Sequence, residues 1–145
     1  MIAPNKAPPP RAAGAAVSGP WPAVYNGDIF TPEDAAALFR DFPGTNAVML
    51  GRGLMRDPAL LRRLRGGPDA SAQELRTYHD RLLEAYRHRL SGDQPVMHRM
   101  WELWAYLSAG FTRPEPYLKR MRKAKNLSEY RAAVDALFRE QRYTT

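Results

Sequence analysis

Residues 46–53 decide the fold, and they read NAVMLGRG. They form a short apolar run that ends at two glycines, which is typical of a buried strand followed by a turn. An earlier run, Trp21–Tyr25, ends at the turn signal Asn26-Gly27-Asp28, and Thr31-Pro32 then opens a helix as cap and first residue. The order of strand, glycine turn and helix, given twice, predicts α/β units with parallel strands.

The chain beyond Asp57-Pro58 has helical periodicity, and Gly66-Gly67-Pro68 marks a boundary within it. Ser71 and Glu74 form a capping box in front of a long amphipathic helix. Three more helices are predicted over residues 96–107, over residues 114–125, and after a cap at Ser128. The core of this antiparallel bundle is predicted to contain Leu82, Tyr86, Trp101, Trp104, Leu107, Val134 and Leu137.

The composition is that of one soluble domain with an uneven charge. The chain has 145 residues and a net charge of +7. Residues 1–55 are neutral, so residues 56–145 carry the whole excess. This asymmetry is explained equally well by a polyanionic partner and by an Arg-rich solvated helical surface. Residues 1–20 are rich in Pro and Ala and are predicted to be a disordered arm.

Several classes of function are excluded by what the sequence lacks. The chain contains no cysteine, which rules out disulfides, Cys-ligated metals and thiol chemistry by this chain. With only three histidines, no metal site is expected. No apolar run reaches the roughly 18 residues of a membrane-spanning helix. The N-terminus lacks the apolar core of a secretory signal, so we expect a cytoplasmic monomer without membrane contact.

The two glycine turns are candidates for phosphate binding. In α/β barrels a phosphate commonly lies on the loops after the last two strands, where glycine allows close approach of backbone N–H groups. Arg52 offers a charge partner at the second turn. A glycine after a strand is more often only a turn, so the residues by themselves leave both interpretations open.

The same residues carry a resemblance to a known family. YNGDI at residues 25–29, NAVMLGRG at residues 46–53 and the following Asp57-Pro58 resemble the tRNA-dihydrouridine synthases. LWAYL at residues 103–107 and the basic stretch after it are similar to the helical tRNA-binding domain of that family. The likeness covers roughly residues 21–140. The NGD and GRG motifs restrict the resemblance to FMN-containing barrel enzymes. The helical part that follows them is similar to this family rather than to the other FMN barrels.

The resemblance implies a fold, a reaction and a cofactor site. It implies a mainly α chain: a remnant of a TIM barrel, its last two strand–helix units, over residues 21–66, and a helical tRNA-binding domain over residues 67–145. The implied reaction is reduction of the C5–C6 double bond of uridine in tRNA, with FMN as cofactor and NADPH as reductant. The residues implied to hold the phosphate and ribityl end of FMN are Asn26, Gly27, Asp28, Gly51 and Arg52.

The departures from the family pattern imply that the chain does not act alone. A full barrel has eight strand–helix units and usually about 250 residues. The general acid of the family is a cysteine, so no catalytic residue is assigned to this chain. We therefore expect the C-terminal part of a synthase, as a fragment or a truncated relative, inactive by itself. The alternatives are a stand-alone basic RNA-binding module and the end of another FMN barrel oxidoreductase.

The predicted RNA surface lies in the bundle. The densest basic cluster consists of Lys119, Arg120, Arg122, Lys123 and Lys125, and the secondary candidates are Arg87, Arg89 and Arg99. Trp101 and Trp104 are predicted to pack in the core rather than to stack on nucleobases. His98 is predicted to be partly buried and satisfied. The arginines at positions 62, 63 and 65 are predicted to form a solvated helix face.

Overall fold

The computed structural model describes residues 22–144. The predicted arm over residues 1–20 lies outside this range, as does Trp21, the first residue of the first predicted strand. Within it, two short strands and five helices longer than eight residues account for most of the chain. The mainly α fold with a two-strand barrel remnant, as predicted, is confirmed.

The first part of the chain is a β–α–β unit followed by two short helices. Strand β1 (Ala23–Asn26), helix α1 (Pro32–Asp41) and strand β2 (Thr45–Met49) are followed by α2 (Gly51–Arg56) and α3 (Leu60–Leu64). The two strands pair in parallel, with Asn26 opposite Met49. The predicted parallel arrangement is therefore confirmed.

The second part is a bundle of four longer helices. They are α4 (Ala72–Arg89), α5 (Asp93–Leu107), α6 (Glu115–Lys123) and α7 (Leu127–Glu140), with a 3₁₀ turn at Ser108–Gly110. Helices α5 and α6 run in opposite directions. The Gln94 amide near the start of α5 donates to the Lys125 carbonyl at 3.2 Å, and the Trp101 indole N–H donates to the Met121 carbonyl at 3.1 Å.

Side-chain caps explain where several helices begin. Thr31 and Ser71 each form a reciprocal capping box with the carboxylate three residues on. The prediction of Ser128 as the last cap is wrong. Asn126 takes that position, because its backbone is extended and its side chain accepts a hydrogen bond from the Glu129 N–H at 2.9 Å.

The second glycine motif lies inside a helix rather than in a turn before it. Helix α2 starts at Gly51 directly after β2, so Gly51 and Gly53 belong to its first turn. A Cβ atom on Gly53 would collide with the backbone carbonyl of Ile29, in the loop after β1. The absence of a side chain at Gly53 is what lets α2 lie against that loop.

The bundle core contains four of the seven predicted residues. Trp104, Leu107, Val134 and Leu137 are buried, together with Met97, Met100 and Tyr130. Leu82, Tyr86 and Trp101 are only half-buried at its margin, which corrects the prediction for these three. Helical spacing identifies the apolar side of a helix, but the neighbouring helices decide how deeply each position is covered.

The barrel remnant has a smaller core and an uncovered sheet face. Ile29, Ala35 and Leu38 are buried between α1 and the strands. On the opposite face Val24 and Met49 are 57% and 52% exposed. Among the described residues the sheet has two strands, and both of its edges are open.

Two arginines of α3, Arg62 and Arg63, form ion pairs at the junction between the barrel remnant and the bundle. The prediction that they belong to a solvated helix face is therefore wrong. Arg62 forms a bidentate pair with Glu74, with N–O distances of 2.7 and 3.2 Å, and also donates to the Pro68 and Asp69 carbonyls. The pKa of Glu74 is lowered to about 2, chiefly by the hydrogen bond from Arg62 and then by that from the Ser71 N–H.

Arg63 makes the second half of this junction. Its guanidinium lies 2.9 Å from the buried Asp57 carboxylate and 2.8 Å from the Asp69 carboxylate. Asp57 also accepts from the Ala59 N–H at 2.9 Å, so it holds the bend between α2 and α3. Arg65, by contrast, is exposed as predicted.

Candidate functional site

The five residues predicted to hold a cofactor lie at one edge of the sheet. Because β1 and β2 are parallel and Asn26 pairs with Met49, the loops after both strands leave the sheet on the same side. Gly27 and Asp28 follow β1, and Gly51 and Arg52 follow β2. We call Asn26, Gly27, Asp28, Gly51 and Arg52 the carboxyl edge.

An ion pair joins the two loops of the carboxyl edge. A guanidinium nitrogen of Arg52 lies 2.8 Å from Oδ1 of Asp28. This oxygen is buried, and within residues 22–144 the Arg52 guanidinium is its charged partner. The Arg52 side chain is 52% exposed and that of Asp28 33%. The edge therefore offers a cation and a carboxylate that are both accessible in part.

Open space lies beside the first turn of α2. A Cβ atom built on Gly51 would meet nothing within 4 Å among the described residues. The first N–H groups of a helix have no acceptor within the helix and carry the positive end of its dipole. A small anion can approach the backbone here, next to Arg52.

The predicted basic cluster is spread over three sides of α6. Lys119 and Lys123, one turn apart, are exposed on the outer face. The pKa of Glu140 on α7 is lowered by the Tyr117 hydroxyl, then by Arg139 and least by the charge of Arg120, which therefore lies on the side of α7. Arg122 borders α5, and Lys125 follows the helix end.

Within residues 22–144 none of these five side chains forms an ion pair. Two of the three secondary candidates differ in this respect, and Arg89 does not. Arg87 is paired with Glu84 and Arg99 with Glu102, each at 3.0 Å. Arg89 is exposed in the last turn of α4.

The last residues of α4 and the last residues of α6 lie at the same end of the bundle. Three residues separate Arg89 from Asp93, whose carboxylate accepts from the Leu127 N–H at 2.9 Å. The turn after α6 therefore lies beside the start of α5, close in sequence to the end of α4. Arg89 and Lys125 belong to this same end of the bundle.

A buried polar network connects three helices, and the sequence analysis did not identify it. Tyr130 of α7 accepts from the Trp104 indole N–H at 2.7 Å, and its hydroxyl lies 2.8 Å from Nε2 of His79. Nδ1 of His79 lies 2.8 Å from the Asp80 carboxylate. A carboxylate only accepts, so the neutral His79 carries its proton on Nδ1, and Nε2 accepts a hydrogen bond from the Tyr130 hydroxyl.

The network is a structural feature of the core. His79 is fully buried, and burial lowers its pKa, which keeps the ring neutral. Burial also raises the pKa of Tyr130. The burial of His79 could have been predicted from the sequence. His79 lies four residues after Leu75 and four before Leu83, on the buried stripe of α4.

The two tryptophans of α5 have different environments. Trp104 is 2% exposed and belongs to the core, as predicted. Trp101 is half-buried, and the ring of His98 lies 5.4 Å from it, centroid to centroid. His98 itself is exposed, so the expectation of a partly buried histidine is wrong.

Comparison with known families decides what this arrangement belongs to. The family model described as dihydrouridine synthase matches residues 15–142, a range that includes both the carboxyl edge and the bundle. The chain belongs to the dihydrouridine synthase family. Members of this family are oxidoreductases that act on uridine in tRNA and generally use FMN. A comparison with curated proteins finds no match.

The family assignment confirms the resemblance drawn from the NGD and GRG motifs. It covers the barrel remnant and the bundle of this dihydrouridine synthase family member together. No helix within residues 22–144 is long and apolar enough to cross a membrane.

Proposed function

We propose that this chain is the part of a tRNA-dihydrouridine synthase that binds the tRNA and the phosphate end of FMN. The observation that carries the proposal is the set of five cations on and after α6, which have no carboxylate partner within residues 22–144. Arg62, Arg63 and Arg76, by contrast, are paired with acids. Cations without acidic partners remain available to phosphates of an RNA backbone.

The carboxyl edge fits the phosphate and ribityl end of FMN. The N–H groups beside Gly27 and Gly51 would donate to phosphate oxygens, and the exposed Arg52 would add a charged hydrogen bond. The accessible part of the Asp28 carboxylate would accept from a ribityl hydroxyl. Asn26 would border this site from the end of β1.

FMN, re-reduced by NADPH, would supply the hydride for the C5–C6 double bond of uridine. The task of this chain is then to orient the cofactor through its phosphate end and to hold the tRNA. The family acid is a cysteine, and this sequence has none. The residues described here supply two barrel strands. We therefore propose that the chain by itself does not reduce uridine.

Reversing two charges tests the RNA surface. Changing Lys119 and Lys123 together to Glu should weaken binding to all tRNAs alike. Each phosphate neutralised contributes about 0.7–0.9 to the steepness of the plot of log affinity against log salt concentration. If each lysine neutralises one phosphate, the plot for the double variant should be less steep by about 1.4–1.8. Equilibrium binding of tRNA transcripts at several salt concentrations measures both quantities.

A matched variant controls for net charge. Arg40 and Arg65 are exposed on the barrel remnant, and changing both to Glu alters the net charge by the same amount. This control should retain most of the affinity and the slope. All variants should melt close to the parent, because exposed charges contribute little to stability. Unchanged affinity and slope for the Lys119/Lys123 variant would show that α6 is only a solvated face.

Arg52 tests the cofactor site. In a protein that carries this segment within a complete barrel, Arg52→Ala should weaken FMN retention by about 1.5–3 kcal/mol, the scale of a hydrogen bond to a charged group. Flavin absorbance after gel filtration and FMN titration of the apoprotein measure the loss. Arg65→Ala, an exposed arginine outside the carboxyl edge, should retain FMN. Full occupancy in the Arg52 variant would remove this residue from the site.

A further inference from the structure

A shallow groove runs between α5 and α6 on the basic side of the bundle. It is open to solvent and is lined by Trp101, Trp104, Ala105, Leu118, Met121 and Arg122. Along α5, Trp101 continues a stripe with Gln94, His98 and Ala105, at helical spacings of three and four residues. We call this the α5–α6 groove.

Trp101 gives the groove an aromatic surface of fixed orientation. Its indole N–H donates to the Met121 carbonyl of the facing helix at 3.1 Å, which ties the ring to α6. The Trp101 side chain packs against the core but is only half-buried, so part of it remains accessible. The exposed His98 ring, tilted by 57° relative to the indole, adds a second aromatic surface beside it.

The charges around the groove suit an anionic partner. Arg122 lies on its rim and Lys125 follows at its end, and neither forms an ion pair within residues 22–144. No carboxylate lines the groove among the described residues, and Glu102 of α5 is paired with Arg99 at 3.0 Å. An aromatic surface between unpaired cations is the combination that binds unstacked bases of single-stranded RNA.

We propose that the α5–α6 groove holds one unpaired nucleobase of the bound RNA. The base stacks on Trp101 beside His98, and Arg122 pairs with an adjacent phosphate. The inference rests on the proposed tRNA binding and adds to it a site for a base. A base inside a duplex has both faces covered by its neighbours, so the groove selects RNA with an exposed loop base.

The test compares variants on two RNAs. Trp101→Leu should lower the affinity for a tRNA transcript about tenfold, or about 1.4 kcal/mol, within the range for one base stacked on an aromatic ring. His98→Ala should lower it about threefold. Trp101→Phe, which keeps an aromatic face, should retain most of the affinity. None of these variants should lower the affinity for a fully paired RNA duplex, and the salt slope on tRNA should stay that of the parent.

Controls separate base binding from folding and from backbone binding. His88→Ala removes another exposed histidine, on α4, and should not change tRNA affinity. If Trp101→Leu does not fold, His98→Ala and Arg122→Gln test the nucleobase site instead. Both side chains are exposed, so these substitutions should leave the fold intact. Equal losses on tRNA and duplex, or no loss on tRNA in any groove variant, would overturn the nucleobase site while leaving salt-dependent tRNA binding intact. A parent chain that does not bind tRNA would overturn both proposals.

Discussion

Replacing Trp104 with alanine is expected to lower the free energy of unfolding by about 3–5 kcal/mol, the usual cost of deleting a large buried aromatic side chain. Trp104 is 2% exposed, and its ring lies near those of His79, Phe111 and Phe138, at centroid distances of 5.4, 6.1 and 6.3 Å. The substitution removes these contacts and leaves a cavity where α4, α5 and α7 meet. Urea denaturation followed by circular dichroism measures the loss.

Trp101→Ala provides the matched comparison on the same helix. Its indole also donates one hydrogen bond to an oxygen of the bundle, but the ring is only half-buried. The surrounding space is already open to solvent, so a smaller cavity penalty applies and the loss should be clearly smaller. Equal losses for the two variants, or an unchanged denaturation curve for Trp104→Ala, would contradict the assigned core.

Replacing Tyr130 with phenylalanine is expected to lower the free energy of unfolding by about 2–6 kcal/mol, although only one oxygen atom is removed. That oxygen accepts from Trp104 at 2.7 Å and lies 2.8 Å from Nε2 of His79. Without it two buried polar groups lose their partner, and each unpaired group costs about 1–3 kcal/mol. Chemical denaturation near neutral pH, where His79 is neutral in the folded chain, measures the effect.

Tyr117→Phe is the control for loss of a hydroxyl group. The Tyr117 hydroxyl donates to the Glu140 carboxylate at 2.7 Å, at a margin where Glu140 is exposed and can turn to water. The expected loss is therefore only about 0.5–1.5 kcal/mol. If Tyr130→Phe cost no more than this control, the three-helix network would not contribute as a unit.

Local signals in the sequence were sufficient to predict the helices and strands and their order along the chain. The caps at Thr31 and Ser71 were identified because a capping box needs only residues within one helical turn. The parallel pairing of β1 and β2 followed from the intervening helix. The exception, Asn126 in place of Ser128, is also local, since both residue types can cap and only the backbone conformation selects one.

The candidate sites could be predicted in part. Proximity of Gly27 and Gly51 follows from parallel strands, and the basic cluster of α6 is visible as sequence. The ion pair between Asp28 and Arg52 was not predicted, because it depends on how two loops from different strands meet. The same holds for Arg62 and Glu74, twelve residues apart, whose pairing required the junction to fold back on α4.

The sequence by itself determined the helices, the parallel strands, the family motifs and the location of the positive charge, since each depends on residue order within one element or one β–α–β unit. Only the tertiary structure decided which members of an apolar stripe are buried. It placed Trp104 in the core and Trp101 at a groove, and it buried His79 against Tyr130 from a helix 51 residues away. Periodicity specifies which side of a helix is covered, but depth and hydrogen-bond partners depend on where the other helices pack.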